Sequence, residues 1–207
     1  VTGINRSVTR RLVLTLVQLG YLLEANRAYT PSPRVLRLAS GYLKERQFGR
    51  TVQPVMASYS KRLGDAISLA VRDGVDAIYV AYSPGDPALI TSGFNIGSRL
   101  PLTAFEEPAE VDRILAAPSA VFTPATKTDP AAILKDLAEI RVRGFAHVTG
   151  EYEPGVASIA VAVTGANNIA KAALGIVGPA ARFEKPEICA EKAELLAECA
   201  DTLSSFV

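Results

Sequence analysis

The chain has 207 residues, of which 49% are hydrophobic and 21% charged, a balance that excludes a disordered chain and suits one or two domains with real cores. No apolar run approaches the roughly 18 residues of a membrane-spanning helix, and no signal-peptide pattern is visible. Cys189 and Cys199 suit neither a zinc site nor a local disulfide. We therefore expect a cytoplasmic protein without a membrane partner.

The formal net charge of +1 conceals an asymmetry along the chain. The first 62 residues hold eleven Lys and Arg but only two acidic residues, a balance of +9, whereas the remaining 145 hold eleven basic and nineteen acidic residues, a balance of −8. A basic segment releases condensed counterions when it meets phosphates, so nucleic acid is the first partner to consider. A solvated basic helix face without a partner remains the alternative.

The N-terminal segment predicts an amphipathic helix from about Arg6 to Leu19, with Asn5 as its N-cap and Gly20 at its end. Apolar residues recur at helical spacing on one side, at Val8, Leu12, Leu16 and Leu19. The opposite arc carries Arg6, Ser7, Arg10 and Arg11. Such a helix could enter the major groove of DNA, where Arg pairs with guanine and Ser reaches base edges or phosphate.

A small hairpin follows, with strands at about Leu22–Glu24 and Ala28–Thr30, and Asn26, Arg27 and Tyr29 would form a wing that touches the DNA backbone or minor groove. Ser32 and Pro33 predict the N-cap and first residue of a second helix that ends near Phe48. Helix, hairpin and second helix in this order indicate part of a winged helix-turn-helix.

Beyond Pro54 the pattern changes to strands with helices outside them, which predicts an α+β fold with a mostly antiparallel sheet. Residues 103–129 are the least readable part. The predicted strands are Ala66–Arg72, Ala77–Ser83, Ala88–Phe94, Ser158–Val163 and Ala172–Val177. The predicted helices are Val55–Arg62, Pro130–Arg143 with Thr128 or Asp129 as cap, and Pro186–Phe206.

Nothing in the sequence predicts an enzyme, a cofactor or a metal centre. His147 is the only histidine, so any catalytic triad would have to use it. No serine stands in a G-x-S-x-G elbow, and no P-loop or G-x-G-x-x-G motif is present. We therefore expect no catalytic and no metal-binding residues.

The sequence resembles the isocitrate lyase regulator (IclR) family of bacterial transcription factors. The motif Thr2-Gly-Ile-Asn-Arg-Ser, followed by Arg10-Arg-Leu and Leu16-Val-Gln-Leu-Gly, matches the second half of the family's helix-turn-helix. Further blocks match in order, among them Gly97-Ser-Arg-Leu-Pro-Leu, Glu153-Pro-Gly-Val-Ala-Ser and Ala173-Leu-Gly-Ile-Val-Gly-Pro. Relative to the family, Val1 lies partway through the DNA-binding domain, and the segment after Leu102 is short, by deletion or by omission.

The resemblance implies a DNA-binding domain at residues 1–32, a linker helix at 33–50 and an effector domain at 51–207 with a curved, GAF- or profilin-like antiparallel sheet. It further implies a homodimer or homotetramer that binds a double-stranded operator and responds to a carboxylate or aromatic effector, as a repressor or an activator. The alternative is an effector-sensing or protein-interaction module without sequence-specific DNA binding.

The same resemblance implies the residues of the two sites. Those for DNA are Arg6, Ser7, Arg10, Arg11, Asn26 and Arg27. Those for the effector are Tyr82, Leu102, Thr149, Glu151, Val156, Ser158, Gly175 and Val177. Ser158 stands where some members have Cys, and Gly175 and Val177 where some have Ser. A pocket with fewer hydroxyls would favour an aromatic or hydrophobic acid over a very small keto acid.

Overall fold

The computed structural model describes residues 3–45, 48–85, 103–117, 120–165 and 167–206. The chain forms two compact units, Val1–Arg46 and Gln47–Val207. Among the described residues, no helix combines the length and the apolar character that a membrane crossing would require.

The smaller unit consists of helix α1 (Arg6–Gln18), strands β1 (Leu22–Ala25) and β2 (Ala28–Pro31), and helix α2 (Val35–Glu45). The Asn5 side chain caps α1 by accepting from the Ser7 amide at 2.9 Å, as the sequence predicts. Ser32 accepts from the Arg34 amide at 3.1 Å and donates to the Gly20 carbonyl, so it joins the start of α2 to the end of α1. Helix α2 begins two residues later than predicted, because residues 33–34 form a turn.

The larger unit opens with a π-helical turn (Phe48–Val52) that leads into α3 (Gln53–Leu63). Strands β3 (Ile67–Asp73) and β4 (Asp76–Ser83) form a hairpin, followed by α4 (Pro108–Leu115) and α5 (Pro130–Arg143). Strands β5 (Ala146–Thr149), β6 (Val156–Thr164) and β7 (Ala170–Pro179) complete the sheet. A 3-10 turn (Ala180–Phe183) precedes the last helix, α6 (Pro186–Leu203).

The described strands of this unit form one antiparallel sheet in the order β4-β3-β7-β6-β5, which confirms the α+β class. One face carries buried large side chains such as Ile67, Ile159 and Ile176, and α3 and α6 lie against these strands. On the other face, Ala146 packs with Val111 of α4 and Leu137 of α5. Each face of the sheet therefore has helices of its own, and the second face carries the predicted effector residues Ser158, Gly175 and Val177.

The predicted helix at Pro130 is confirmed, with Asp129 as the cap that accepts from the Ala132 amide. The sequence analysis did not predict helix α4 or strand β5. The predicted strand Ala88–Phe94 lies outside the described residues.

Candidate functional site

The residues predicted to read DNA all lie exposed on the smaller unit. Arg6, Arg10 and Arg11 are exposed along α1. Ser7 is exposed too, but its hydroxyl donates to the Asn5 side chain at 2.9 Å. The Ser7 hydroxyl is thus engaged in the helix cap, and the three arginines are the groups of this helix best placed to meet a polyanion.

The wing turn holds its two central residues in an unusual backbone conformation. Asn26 and Arg27 have φ values of +52° and +62°, and the flanking residues Ala25 and Ala28 close the hairpin. A two-residue turn of this kind favours Asn-Gly, because glycine adopts positive φ without steric cost. Arginine at the second position costs conformational energy, a pattern typical of a residue kept for function.

Glu24 and Tyr29 face each other across the same hairpin, and the Tyr29 hydroxyl donates to a Glu24 carboxylate oxygen at 3.2 Å. Desolvation and this hydrogen bond raise the pKa of Tyr29, whereas the positive charge of Arg10 lowers it. The wing and α1 therefore act on one another electrostatically. The sequence indicates Tyr29 as a wing residue but gives no sign of its pairing with Glu24.

The apolar stripe of α1 remains largely open within the described part of the smaller unit. Leu12, Leu16 and Leu19 are each at least 40% exposed. The periodicity of the stripe is confirmed, and its side chains offer an apolar surface opposite the arginines.

Several predicted effector residues share one face of the sheet in the larger unit. Strand pairing places Ser158 opposite Val177, and Gly175 opposite Ala160 and Ser68. Because side chains alternate between the two faces of a strand, these residues point to the same side. The surface, here named the small-residue face, comprises Ser68, Ser158, Ala160, Ala173, Gly175 and Val177.

Tyr82 and Val156 flank the small-residue face. Tyr82 pairs with Ser68, and its side chain is 55% exposed. Val156 lies two residues before Ser158 on the same strand and so shares its side. Ser68 belongs to this surface although the sequence did not single it out, because only the register of β3 against β7 reveals its position.

Glu151 lies in the loop between β5 and β6. Its carboxylate accepts from the Lys127 amide at 3.2 Å, and its backbone carbonyl accepts from the Thr126 hydroxyl at 2.5 Å. The pKa of Glu151 is raised, mainly because the carboxyl group is partly buried. A partly buried carboxyl with few partners is a good acceptor for a hydroxyl group of a ligand.

One predicted effector residue, Thr149, is not brought to this surface. Thr149 pairs with Ala157, so its side chain lies on the opposite side of the sheet from Ser158. Its hydroxyl is 3.4 Å from His147 Nε2. Leu102 lies outside the described residues.

Charged side chains at one end of the small-residue face are already paired with one another. Arg72 forms ion pairs with Glu106 and Glu110. Arg113 also pairs with Glu110, at 2.7 Å. The guanidinium of Arg72 is therefore neutralised by protein carboxylates before any effector arrives.

His147 lies half-buried on strand β5, opposite Ile159 of β6. Partial burial and the neighbouring Arg143 lower its pKa, so the neutral form predominates at physiological pH. Within the described ranges, no group of His, Cys, Asp or Glu side chains has the arrangement of a metal site.

Residues 40–205 match the family described as bacterial transcriptional regulator IclR, C-terminal. The chain belongs to the IclR family. The Pca regulon regulatory protein of Pseudomonas putida is 29% identical over 197 residues, which cover 90% of this chain and 68% of that protein. The p-hydroxybenzoate hydroxylase transcriptional activator of Acinetobacter baylyi is 28% identical, with 100% and 81% covered.

A crystal structure of an IclR transcriptional regulator from Silicibacter sp. TM1040 has a TM-score of 0.84 to this chain at 28% identity, and the match covers 98% of this chain and 84% of that one. The family assignment and the α+β fold predicted from the sequence are thus confirmed. The IclR family and these relatives are transcriptional regulators and not enzymes, as the sequence predicts.

Proposed function

We propose that this IclR-family chain is a ligand-responsive transcriptional regulator of the cytoplasm that binds an operator as a dimer or tetramer and senses an aromatic acid. One observation supports this most directly: the wing keeps an exposed arginine, Arg27, in a conformation that glycine would adopt without strain. A contact between Arg27 and DNA would account for an arginine at a position that costs conformational energy.

The DNA-binding role rests on the exposed cations of α1 and the wing. Arg6, Arg10 and Arg11 would enter the major groove, with Asn5 and Ser7 fixing the first turn of the helix. Asn26 and Arg27 would contact the backbone or the adjacent minor groove. The bases that these residues read depend on the operator sequence.

The effector role rests on the small-residue face. Ala160 and Gly175 carry little or no side chain above the sheet, while Val156, Val177 and Tyr82 offer apolar and aromatic contacts that suit a flat ring. Glu151 would accept a hydrogen bond from a ring hydroxyl. This chemistry fits a hydroxylated aromatic acid better than a very small keto acid, and the name of the Acinetobacter baylyi relative refers to p-hydroxybenzoate, that is, 4-hydroxybenzoate.

The response would act through the geometry of two recognition helices. A dimer contacts two half-sites about 34 Å apart or a multiple of that distance, so a small change in helix placement costs much affinity. Effector binding to one arrangement in preference to the other would shift the equilibrium between them. Helix α2 and the turn that follows it connect the two units along the chain.

Fluorescence anisotropy tests the DNA-binding role. The protein is titrated onto the duplex upstream of its own gene and onto a random duplex of equal length, across a salt series. We expect tighter binding to the upstream duplex and an affinity that falls steeply with salt, because each phosphate contact releases counterions. Equal and weak binding to both duplexes would instead favour the second candidate, a sensing or interaction module without sequence-specific DNA binding.

A further inference from the structure

Side chains of α3 hold the segment that ends β4. Gln53, the first residue of α3, donates from Nε2 to the Tyr82 carbonyl at 2.7 Å. Further along the helix, the buried Ser60 hydroxyl lies 2.6 Å from the Pro84 carbonyl and 2.9 Å from the Asp65 carbonyl. Gly85 lies so close to the backbone of Asp65 and Ala66 that a Cβ would not fit. The end of β4 is therefore attached to α3 and to the loop that follows α3.

Tyr82 contributes its side chain to the edge of the small-residue face and its backbone carbonyl to the attachment of β4 to α3. Its side chain lies beside the small-residue face, opposite Ser68, where a ligand on that face would meet the ring. Its backbone carbonyl accepts the hydrogen bond from Gln53. A displacement of Tyr82 by a bound ring would therefore change the length or the geometry of this hydrogen bond.

Helix α3 is packed along one side and is bonded to neighbouring elements at both ends. Val52 and Met56 are completely buried, and Ser60 lies on the same side of the helix. The opposite end of α3 is tied to α6, because Lys192 donates to the Leu63 carbonyl and Arg62 pairs with Glu198 at 2.9 Å. Gln53 thus connects strand β4, which faces the proposed ligand, with the first turn of α3. Along the chain, this end of α3 is the one nearer to the proposed DNA-binding unit.

We propose that Gln53 is a positioning residue that couples effector binding at Tyr82 to DNA affinity, through its hydrogen bond to the Tyr82 carbonyl. Gln53 contacts neither the effector nor DNA in this scheme. The proposal rests on the proposed function, since it assigns a route by which that same effector site controls DNA binding. Coupling of this kind is a ratio of two affinities, so it can be lost while each separate affinity is retained.

The test compares two substitutions of Gln53. Gln53→Glu keeps the size of the side chain but removes the amide donor, and a carboxylate in the first turn of a helix does not weaken the helix. Gln53→Lys restores a donor. The matched control is Arg62→Ala, which removes another exposed side-chain bond of α3, the one to Glu198 on α6.

For each variant, DNA affinity is measured with and without saturating 4-hydroxybenzoate, and the affinity for 4-hydroxybenzoate is measured by calorimetry. We expect both separate affinities of Gln53→Glu to stay within about twofold of the original protein, while its coupling ratio falls from the typical range of about 5- to 150-fold towards one. Gln53→Lys should recover most of the ratio, and Arg62→Ala should leave it unchanged. An unchanged ratio in Gln53→Glu would overturn the proposal.

A second measurement does not require an effector. In amide hydrogen exchange of the unliganded protein, Gln53→Glu should increase exchange in both the first turn of α3 and residues 82–85, whereas Arg62→Ala should not. Unchanged exchange in either segment would overturn the coupling role of Gln53. If the original protein binds DNA specifically but does not respond to 4-hydroxybenzoate, the proposed effector fails, whereas the exchange result still shows whether Gln53 holds the end of β4 to α3.

Discussion

Arg27 shows how one residue can set stability against function. Its φ of +62° is the conformation in which residues other than glycine lose energy to contact between Cβ and the backbone. The neighbouring Asn26 tolerates positive φ better, because asparagine is among the residues found there most often. The conformational energy lost at Arg27 therefore comes from its side chain, and the DNA contact that we propose depends on the same side chain.

Arg27→Gly should make the protein more stable and weaken its binding to DNA. Relief of the positive φ should add about 1 kcal/mol to the free energy of unfolding. Loss of one phosphate contact should reduce the salt slope of DNA affinity by about 0.9. Denaturant unfolding and anisotropy at several salt concentrations measure the two effects. Arg27→Lys is the control, since it keeps both the charge and the strain; a Gly variant with undiminished DNA affinity would remove Arg27 from the interface.

Glu151→Gln should change how stability depends on pH. Burial raises the pKa of Glu151 above its ordinary value, so its contribution to stability is full at low pH and is lost as the pH rises through the folded-state pKa. Glutamine does not ionise, so the variant does not lose stability in this way as the pH rises. We expect the melting temperature of the variant, relative to the original protein, to rise between pH 4 and pH 7.

Thermal unfolding followed by circular dichroism at both pH values measures this difference. Glu153→Gln, at an exposed position of the same loop, controls for the removal of a charge. A difference between Glu151→Gln and the original protein that stays constant with pH would mean that burial does not govern this carboxyl.

At the scale of elements, the parts that the sequence predicts carry strong local signals. Asp129 and Pro130 predict the start of helix α5, and the Asn26-Arg27 turn between two short apolar runs predicts the wing. Helix α4 was missed because it is short, follows two glutamates and has no side-chain cap at Glu107. Strand β5 was missed because four residues hold too little periodicity.

The membership of the small-residue face could be predicted only in part. Ser158, Gly175 and Val177 came from the family resemblance, residue by residue. Ser68 did not, because its place depends on which residues of β3 and β7 lie opposite each other. Strand register also removes a residue from this face. The pairing of Thr149 with Ala157 places the Thr149 side chain on the other side of the sheet. Its part in effector binding remains a prediction.

Ser158→Leu should abolish the effector response and leave DNA binding without effector unchanged. Ser158 is only 5% exposed, and the larger side chain would project from the small-residue face where we propose that the effector binds. Overpacking should cost about 1–3 kcal/mol of stability, so unfolding must be measured beside calorimetry with 4-hydroxybenzoate. Ser158→Ala is the control, because it keeps the space and removes only the hydroxyl. A Leu variant that folds and still responds would exclude Ser158 from the site.

At the scale of the whole molecule, the charge asymmetry follows the division of roles that we propose for the two parts of the chain. The basic excess lies in the segment that contains α1 and the wing, and the acidic excess in the segment that contains the sheet. A basic excess benefits a protein that approaches DNA, because electrostatic attraction raises association rates. An acidic excess would repel the phosphate backbone, so we expect DNA binding to be confined to the basic part of the chain.

The most direct test of a ligand-responsive regulator adds 4-hydroxybenzoate to the protein bound to its upstream duplex, with anisotropy as the readout. A small keto acid, glyoxylate, serves as the comparison ligand. We expect 4-hydroxybenzoate to change the affinity for the upstream duplex at least about fivefold, in either direction, and glyoxylate to have a much smaller effect. Specific DNA binding that neither ligand alters would contradict the proposed aromatic-acid sensor, and a larger effect of glyoxylate would contradict the aromatic character of the site.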